Sequence, residues 1–516
     1  MPTERVHWPA LLSIAFGVSL VIMDATIVNV ALPVVIEDLS LTATEAQWMN
    51  AVYSLVFAAL LITVGRVGDI IGRRRIFAIG MAIFGAASVV AGLSVNGPML
   101  IGARLVQGVG AAMIMPSALS TLNAMFIGRA RVIAFAVYGS AIGGMAAVGP
   151  LLGGWLATEV SWRWAFWLNI PVGILVLVGL LTVVPETKDA HAMPSGDYVA
   201  IALVSVGMGG LVFGLIEAQT YGWIHQSDGS LSPIPLVLGA AVLSVIALIW
   251  HEGRRAASGR PVLIDLTLFR IPTFSAGTVA ALIVALGEFG LLFTLPLLLQ
   301  GALGYDALGT GWIIVFLAAG TFLSSGILPA LTKRLSQRTI VQIGLGLEAV
   351  AVAGVALSFS TDVSSWALKA WLFLYGFGVG FATAQLTSLL LSDVPVEESG
   401  QASGLQSTVR QLGSALGVAA LGGLLLHQLA SRTRSELESL GLPTEAVDKV
   451  TSAVSDSAGV AIAGLQQTPG QEAVAAAATD AMIAASRVTT LSAAAFLLIG
   501  LLATLRLPSD AGHSRD

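Results

Sequence analysis

The sequence predicts an all-α polytopic membrane protein, and three observations carry that prediction. Of its 516 residues, 56% are hydrophobic and only 11% charged, with a mean hydropathy of +0.87. A soluble domain carries about 25% charge, and so much apolar surface cannot be hidden from water by folding alone. Apolar stretches long enough to cross a bilayer, about 20 residues each, recur from end to end. The basic residues between them are unevenly divided between the two sides, as the cytoplasmic bias of Lys and Arg requires.

Candidate helices fall at 10–33, 46–66, 76–95, 99–125, 131–157, 163–184, 198–219, 233–251, 272–300, 309–332, 338–359, 366–391, 402–428 and 487–507. The first is interrupted by Met23-Asp24 and has no small-x-small cleavage pattern, so it is expected to be a retained helix. Fourteen spans place both termini on one side. With that side inside, 17 of the 25 Lys and Arg are cytoplasmic and six are outside, while Arg104 and Arg410 fall within spans. Four of the outside six sit in or beside one long loop, where the bias is weak.

The spans divide as six, two and six. Residues 1–195 form a six-helix bundle, and 196–251 add two transmembrane helices. Residues 252–271 are a basic cytoplasmic linker, and 272–516 hold the second six-helix bundle with an extracellular loop at 429–486. In that loop Ser435-Glu436-Leu437-Glu438 has the form of a capping box, which would start a short surface helix. An internal repeat supports the two bundles. Gln107-Gly108-Val109-Gly110 in span four matches Phe377-Gly378-Val379-Gly380 in span twelve at an offset of 270, setting Arg104 against Leu374. Transporters built from two repeats hold substrate between the halves near the midplane.

Several chemistries are not expected. There are no cysteines, and six scattered histidines show no ligand spacing, so neither disulfides nor a metal or cofactor is implied. No P-loop, His-Glu-x-x-His pattern or Ser/His/Asp frame supports an enzyme. With a net charge of −5, nothing points to nucleic acid.

Charge inside a membrane is expensive and therefore functional by default. Asp24 lies mid-span in the first helix, where a desolvated carboxyl can exchange a proton or meet a cation. Its alternative role is polar packing against Thr26, Asn29 or a neighbouring helix. Glu288, between Gly287 and Gly290 in span nine, has the same two readings in the second half. Arg104 stays charged when buried and needs a partner. Pairing with Asp24 would couple protonation to conformation; a permanent anchor is the alternative. Arg410, near the start of span thirteen, is expected to snorkel to the interface. Glu217, beside Tyr221 and Trp223, reads as interfacial.

Two glycine-framed motifs remain. Gly65-Arg66-Val67-Gly68-Asp69-Ile70-Ile71-Gly72-Arg73-Arg74 joins spans two and three. Its Asp69 and Arg73 are placed to pair with neighbouring helix ends and their dipoles, so Gly65, Asp69, Gly72, Arg73 and Arg74 are read as a cytoplasmic gate; the alternative is that the arginines only hold the loop inside. Span five carries Gly139, Gly143, Gly144, Gly149, Pro150, Gly153 and Gly154. The glycines allow close helix approach and the proline bends the helix.

From about residue 8 to 507 the chain resembles the major facilitator superfamily, and within it the fourteen-helix drug:proton antiporters of EmrB/QacA type. The matching segments are Asp24 to Pro33, Gly65 to Arg74, Arg104 to Gly110 and Gly139 to Gly154. Trp162-Arg163-Trp164, Asn169 to Gly173 and Pro261 to Phe274 also resemble this group. The resemblance implies a major facilitator fold, proton coupling at the Arg104 motif, antiport at the span-five motif and gating at the basic loop. The second-half counterpart of that loop, Leu331-Thr332-Lys333-Arg334 with Arg338, lacks the Asp, which weighs against a symmetric latch. The expected protein is a monomeric, proton-driven exporter of amphipathic, often cationic drugs in a bacterial cytoplasmic membrane. Its partners are protons, lipid and a small-molecule substrate. Export of a single metabolite is the nearer alternative, and a facilitator or symporter the more distant one.

Overall fold

The computed structural model describes residues 7–505, apart from 127–129, 131–133, 135–136, 139–144, 146–147, 189–196, 227–229, 333, 391 and 395–398. The described residues are overwhelmingly helical. The first bundle comprises α1 (Trp8–Leu39), α2 (Ala43–Ile71), α3 (Arg73–Gly92), α4 (Gly97–Met125), α5 (helical over 148–155, then π-helical over Leu156–Val160) and α6 (Trp164–Val183). Two further helices follow, α7 (Tyr198–Tyr221) and α8 (Ile234–Ala257). The second bundle comprises α9 (Pro272–Gly301), α10 (Ala307–Leu331), α11 (Gln337–Ser358), α12 (Ser365–Leu390), α13 (Ser399–Ser439) and α16 (Glu472–Thr504). Between the last two lie α14 (Thr444–Asp456) and α15 (Ala461–Gln466).

Among the described residues twelve helices are long and apolar enough to cross a membrane, against the fourteen expected from sequence. The two not counted are α2 and the segment at 131–157, much of which lies outside the described residues. α2 itself is a 29-residue helix packed against α4 and α13.

Helices begin where side chains can accept the first free backbone N–H groups. The Glu45 N–H donates to Thr42 Oγ1 (3.2 Å) and the Thr42 N–H to Glu45 Oε2 (2.9 Å), closing a capping box on α2. Asn96, Asp197, Asp306 and Ser336 cap α4, α7, α10 and α11. Asp197 also binds His251 Nε2 (2.9 Å) and Arg255 Nε (2.8 Å), tying α7 to α8. Burial pushes the Asp197 carboxyl up, but the Ala200 N–H, His251 and Arg255 outweigh it and hold the carboxyl below its usual range. α8 exposes Leu236, Leu243, Ile246 and Trp250, the surface a lipid-facing helix presents.

The repeat is real, but its register differs from the sequence alignment. A Cβ on Gly110 would sit 2.8 Å from the Gly80 carbonyl, and one on Gly378 would sit 2.7 Å from the Gly344 carbonyl. Gly108 and Gly376 in turn face α2 and α10, through the carbonyls of Tyr53 and Leu317. Gly108 therefore corresponds to Gly376, and Arg104 to Leu372. The sequence match slipped by two because the second half carries three alternating glycines, Gly376, Gly378 and Gly380.

The expected loop at 429–486 is largely helical. α13 runs on for 41 residues, about 60 Å at 1.5 Å per residue, twice a bilayer core. Its far end buries Leu437 against Val447 and Ala477. Ser435 to Glu438 lie in its last turns, so no helix starts there, and α16 begins at Glu472 rather than 487.

The halves meet toward the ends of the spans opposite Gly72. Gln300 Nε2 donates to the Val30 carbonyl (2.9 Å), the Leu308 N–H donates to Thr158 Oγ1 (3.1 Å), and the Ser54 and Ser414 hydroxyls pair at 3.2 Å near mid-span.

Candidate functional site

In the first half, Asp24, Arg104 and three polar side chains form a buried network. Asp24 and Arg104 are 0% and 1% exposed, and Arg104 Nη1 donates to Asp24 Oδ2. The other carboxylate oxygen accepts from Asn169 Nδ2 (2.8 Å) and Gln107 Nε2 (3.1 Å). Arg104 Nη1 also donates to Gln107 Oε1 (3.0 Å), its Nε to the Met49 carbonyl (3.4 Å), and its guanidinium lies 4.3 Å from the Tyr53 ring centroid. Ser88 accepts from both amides and donates to the Phe84 carbonyl (2.7 Å). Five helices, α1, α2, α3, α4 and α6, converge on one charge pair. Neither Thr26 nor Asn29 binds Asp24; Thr26 Oγ1 donates to backbone carbonyls of its own helix. Removing a buried ion's partner strands a charge, so this pair and its ligands stand or fall together.

The basic turn is fixed to the end of α6. Gly72 has φ +132°, a conformation other residues avoid, and a Cβ there would meet the Glu186 carboxyl at 2.6 Å. The Arg74 N–H donates to Glu186 Oε1 (3.0 Å), and Arg74 and Arg75 approach the same carboxylate at 3.8 and 3.6 Å. Arg74 Nη1 donates to the Val184 carbonyl (3.1 Å) and Arg73 Nη1 to the Ser120 carbonyl (3.3 Å), both near helix C-termini. Gly65 packs on Pro116 of α4. The Asp69 side chain lies outside the described residues.

α5 wedges between the halves. A Cβ on Gly153 would fall 2.8 Å from the Ile27 carbonyl of α1, and Gly149 faces Thr26. Gly154 abuts Ala307 and Leu308 at the start of α10, where Gly311 in turn meets the Pro150 carbonyl. The helix then widens into its π-helical turn, a form common at functional sites. Gly139 and Gly143 of the same motif lie outside the described residues.

In the second half, Glu288 is 9% exposed in the middle of α9. Its glycines admit neighbours: a Cβ on Gly290 would touch Leu421 of α13, and one on Gly287 the Ala493 carbonyl of α16. Arg410 does not snorkel as expected. Its Nη2 lies 3.5 Å from Glu288 Oε2, because this turn of α13 faces α9 rather than a helix end. Both line a small cleft with Gln406, Thr383 and Thr387, where Gln406 Nε2 donates to Thr387 Oγ1 (2.8 Å). Glu217 accepts from Trp48 Nε1 (2.8 Å) and ties α7 to α2.

Sequence reading passed over Ser88, and it met Gln107 and Asn169 only as members of motifs, with no role as neutral ligands of the Asp24 pair. It passed over Glu348 entirely, although an acid midway along an apolar span is the signal that picked out Asp24 and Glu288.

A wholly helical chain of long apolar spans, with a buried acid–guanidinium pair at Asp24–Arg104 and a partly exposed one at Glu288–Arg410, has the architecture of a membrane transporter. The chain belongs to the Major Facilitator Superfamily, whose family model matches residues 14–418, and it is therefore a transporter and not an enzyme. It is 34% identical over 472 residues to the "probable actinorhodin transporter" of Streptomyces coelicolor, covering 87% of this chain and 79% of that protein. It is 30% identical over 472 residues to the multidrug efflux pump LfrA of Mycolicibacterium smegmatis, covering 91% and 90%. A bacterial homologue of the human lysosomal transporter Spinster, crystallised inward-facing and occupied, superimposes with a TM-score of 0.63 at 16% identity, covering 96% and 95%.

Proposed function

We propose that this protein is a proton-coupled antiporter of the fourteen-helix EmrB/QacA type, exporting amphipathic, often cationic drugs across a bacterial cytoplasmic membrane. The observation that carries the reading is the pair of mid-span acids, each held by a single arginine, with one pair in each half. When Asp24 takes a proton, its hold on Arg104 weakens, and a network spanning five helices can rearrange. Glu288 is held at one longer contact beside a small cleft, which supports it as the acid that meets a cation or a proton. The glycine face of α5, pressed on α1 and α10, is the surface on which the halves rock. In this reading α2 and the segment at 131–157 are the remaining two of the fourteen spans. The basic turn is cytoplasmic and both termini lie inside, so the contacts that join Gln300 to Val30 and Leu308 to Thr158 lie toward the outer ends of the spans. Gly65, Asp69, Gly72, Arg73 and Arg74 gate that side, and the transporter works as a monomer with no cofactor.

A Glu288→Gln variant should insert normally and lose coupled export of cations in a proteoliposome assay; normal cation export would sink the assignment. The similarity to a protein named for actinorhodin favours a second reading, export of one antibiotic-like metabolite. Activity on one compound from a broad panel would support it.

A further inference from the structure

A cavity of about 1160 Å3 lies toward the ends of the spans opposite Gly72. Its walls come from the first turn of α2, the last turns of α7, the middle of α13 and the last turn of α14. Two of these, α7 and α14, belong to segments added to the two six-helix bundles. None of Asp24, Arg104, Glu288 and Arg410 lines it. Nor is it the space between the halves. On α13, a Cβ on Gly422 would meet Phe293 of α9 (3.0 Å) and Gln47 of α2 (3.3 Å), whereas one on Gly423 would meet Gln219 of α7 (3.0 Å). The seam of α2, α9 and α13 therefore follows one face of α13, and the cavity follows the next.

Three carboxylates line the cavity, one each from α2, α7 and α14: Glu45, Glu217 and Asp456. His427 is the other titratable side chain there, and among the described residues no Lys or Arg lines it. Arg432 and Arg434, further along α13, are bound to Gln428 and to Asp448 and Glu438. Two of the acids are fixed in place. Glu45 Oε2 accepts from the Thr42 N–H (2.9 Å), and Glu217 Oε1 accepts from Trp48 Nε1 (2.8 Å). Glu217 Oε2 has no partner among the described residues. Between the acids the walls are apolar, with Leu215 and Leu424, and Trp223 is 57% exposed. Sites for drug-sized molecules have this form, apolar walls of about 300–1,000 Å3 with a few placed polar groups. A cleft lined by one sign of charge concentrates solutes of the other, and an indole face attracts a cation. The same turn of α2 holds Gln47, 0% exposed, with neither amide atom partnered among the described residues. A buried amide left unpaired is costly, and a ligand or water entering this seam would satisfy it.

We propose that this cavity is an outer binding site for an organic cation with an apolar body, separate from the mid-span acids. Glu217 supplies the counter-charge through its free oxygen, and Trp223 covers the apolar body. Only the sidedness of the site rests on the proton-coupled reading, through its cytoplasmic basic turn; binding itself needs no proton movement. The site gives α7 and the polar extension of α13 and α14 one shared role, as walls of a compartment that a cation meets on the outer side.

The cysteine-free chain makes the test direct. Thr220→Cys on α7 and Ser455→Cys on α14 place a thiol on two walls of the cavity, and Leu440→Cys places one on an exposed turn outside it. Maleimide labelling of the full-length protein in dodecyl maltoside is timed with tetraphenylphosphonium and with tetraphenylborate, an anion of the same shape. The cation should slow labelling at the two walls and not at the outside turn, and the anion should slow neither. Glu217→Gln keeps an acceptor for Trp48 but removes the charge, so protection should need about tenfold more cation. Equal protection by both ions, or undiminished protection in Glu217→Gln, overturns the proposal. Protection lost in Glu288→Gln overturns it as well, because the cation would then sit at mid-span. Phosphatidylethanolamine that slows labelling without added cation would assign the cavity to lipid and overturn it too. If one wall variant does not fold, the other carries the same comparisons. Substrate-evoked proton flux in wild-type liposomes judges the antiport reading separately. Protection without flux leaves the outer site standing and that reading fallen; flux without protection does the reverse.

Discussion

Asp24 keeps Arg104 soluble in the interior of the protein, and the reverse is equally true. An Asp24→Asn variant preserves shape but leaves a guanidinium 1% exposed with no counter-charge. Breaking a buried pair costs about 3–5 kcal/mol, so the variant should unfold at clearly lower temperature and lose proton-driven transport. A thermal-shift assay in detergent reads the first effect, and a melting temperature equal to wild type would contradict the pairing. These charges were legible in the sequence because a charge in an apolar run costs too much to be incidental. Asn169, Gln107 and Ser88 were not, because amides and hydroxyls are cheap enough in a span to occur without function. Which of many neutral polar groups meets a charge is set by how helices far apart in sequence pack. Arg410 was misread for a related reason: nearness to a helix end suggested snorkelling, and only packing reveals that Glu288 faces it.

At the scale of elements, α5 is the most constrained. Gly153→Leu would drive a side chain into the backbone of α1, and overpacking of this kind typically costs about 1–3 kcal/mol. Transport should fall far more than expression; unaltered uptake kinetics would remove α5 from the mechanism. The Asp197 junction predicts a pH dependence. Its depressed carboxyl favours the charged, folded form, so its contribution is present above the ordinary carboxylate range and lost as pH falls through the lowered value. The α7–α8 pair should therefore loosen only in acid, and Asp197→Asn should loosen it at neutral pH, as hydrogen exchange across Ala200–Ser205 would report. The close helix seams were partly legible: alternating glycines marked span four and span twelve as equivalents. The register was not, because three alternating glycines permit two alignments and only their opposing carbonyls choose between them.

The order and placement of most spans were legible from hydropathy alone, since bilayer thickness fixes helix length. The long polar extension of α13 was not, because a helix leaving the membrane keeps its backbone bonds while its composition changes. The joined ends of the two halves carry a prediction that the cysteine-free sequence makes easy to test. Cysteines at Thr158 and Leu308, whose side-chain hydroxyl and backbone N–H meet at 3.1 Å, should be bridged by a short reducible thiol-specific cross-linker and block transport until reduced. Transport by the cross-linked protein would show that these ends never part. The central claim is that proton movement and substrate movement are one process. Its most direct test is proton flux in liposomes holding an imposed pH gradient, challenged with lipophilic cations and neutral drugs, wild type beside Glu288→Gln. The account predicts flux evoked by several unrelated cations and lost in the variant; flux that no compound evokes, or that survives the substitution, would contradict it.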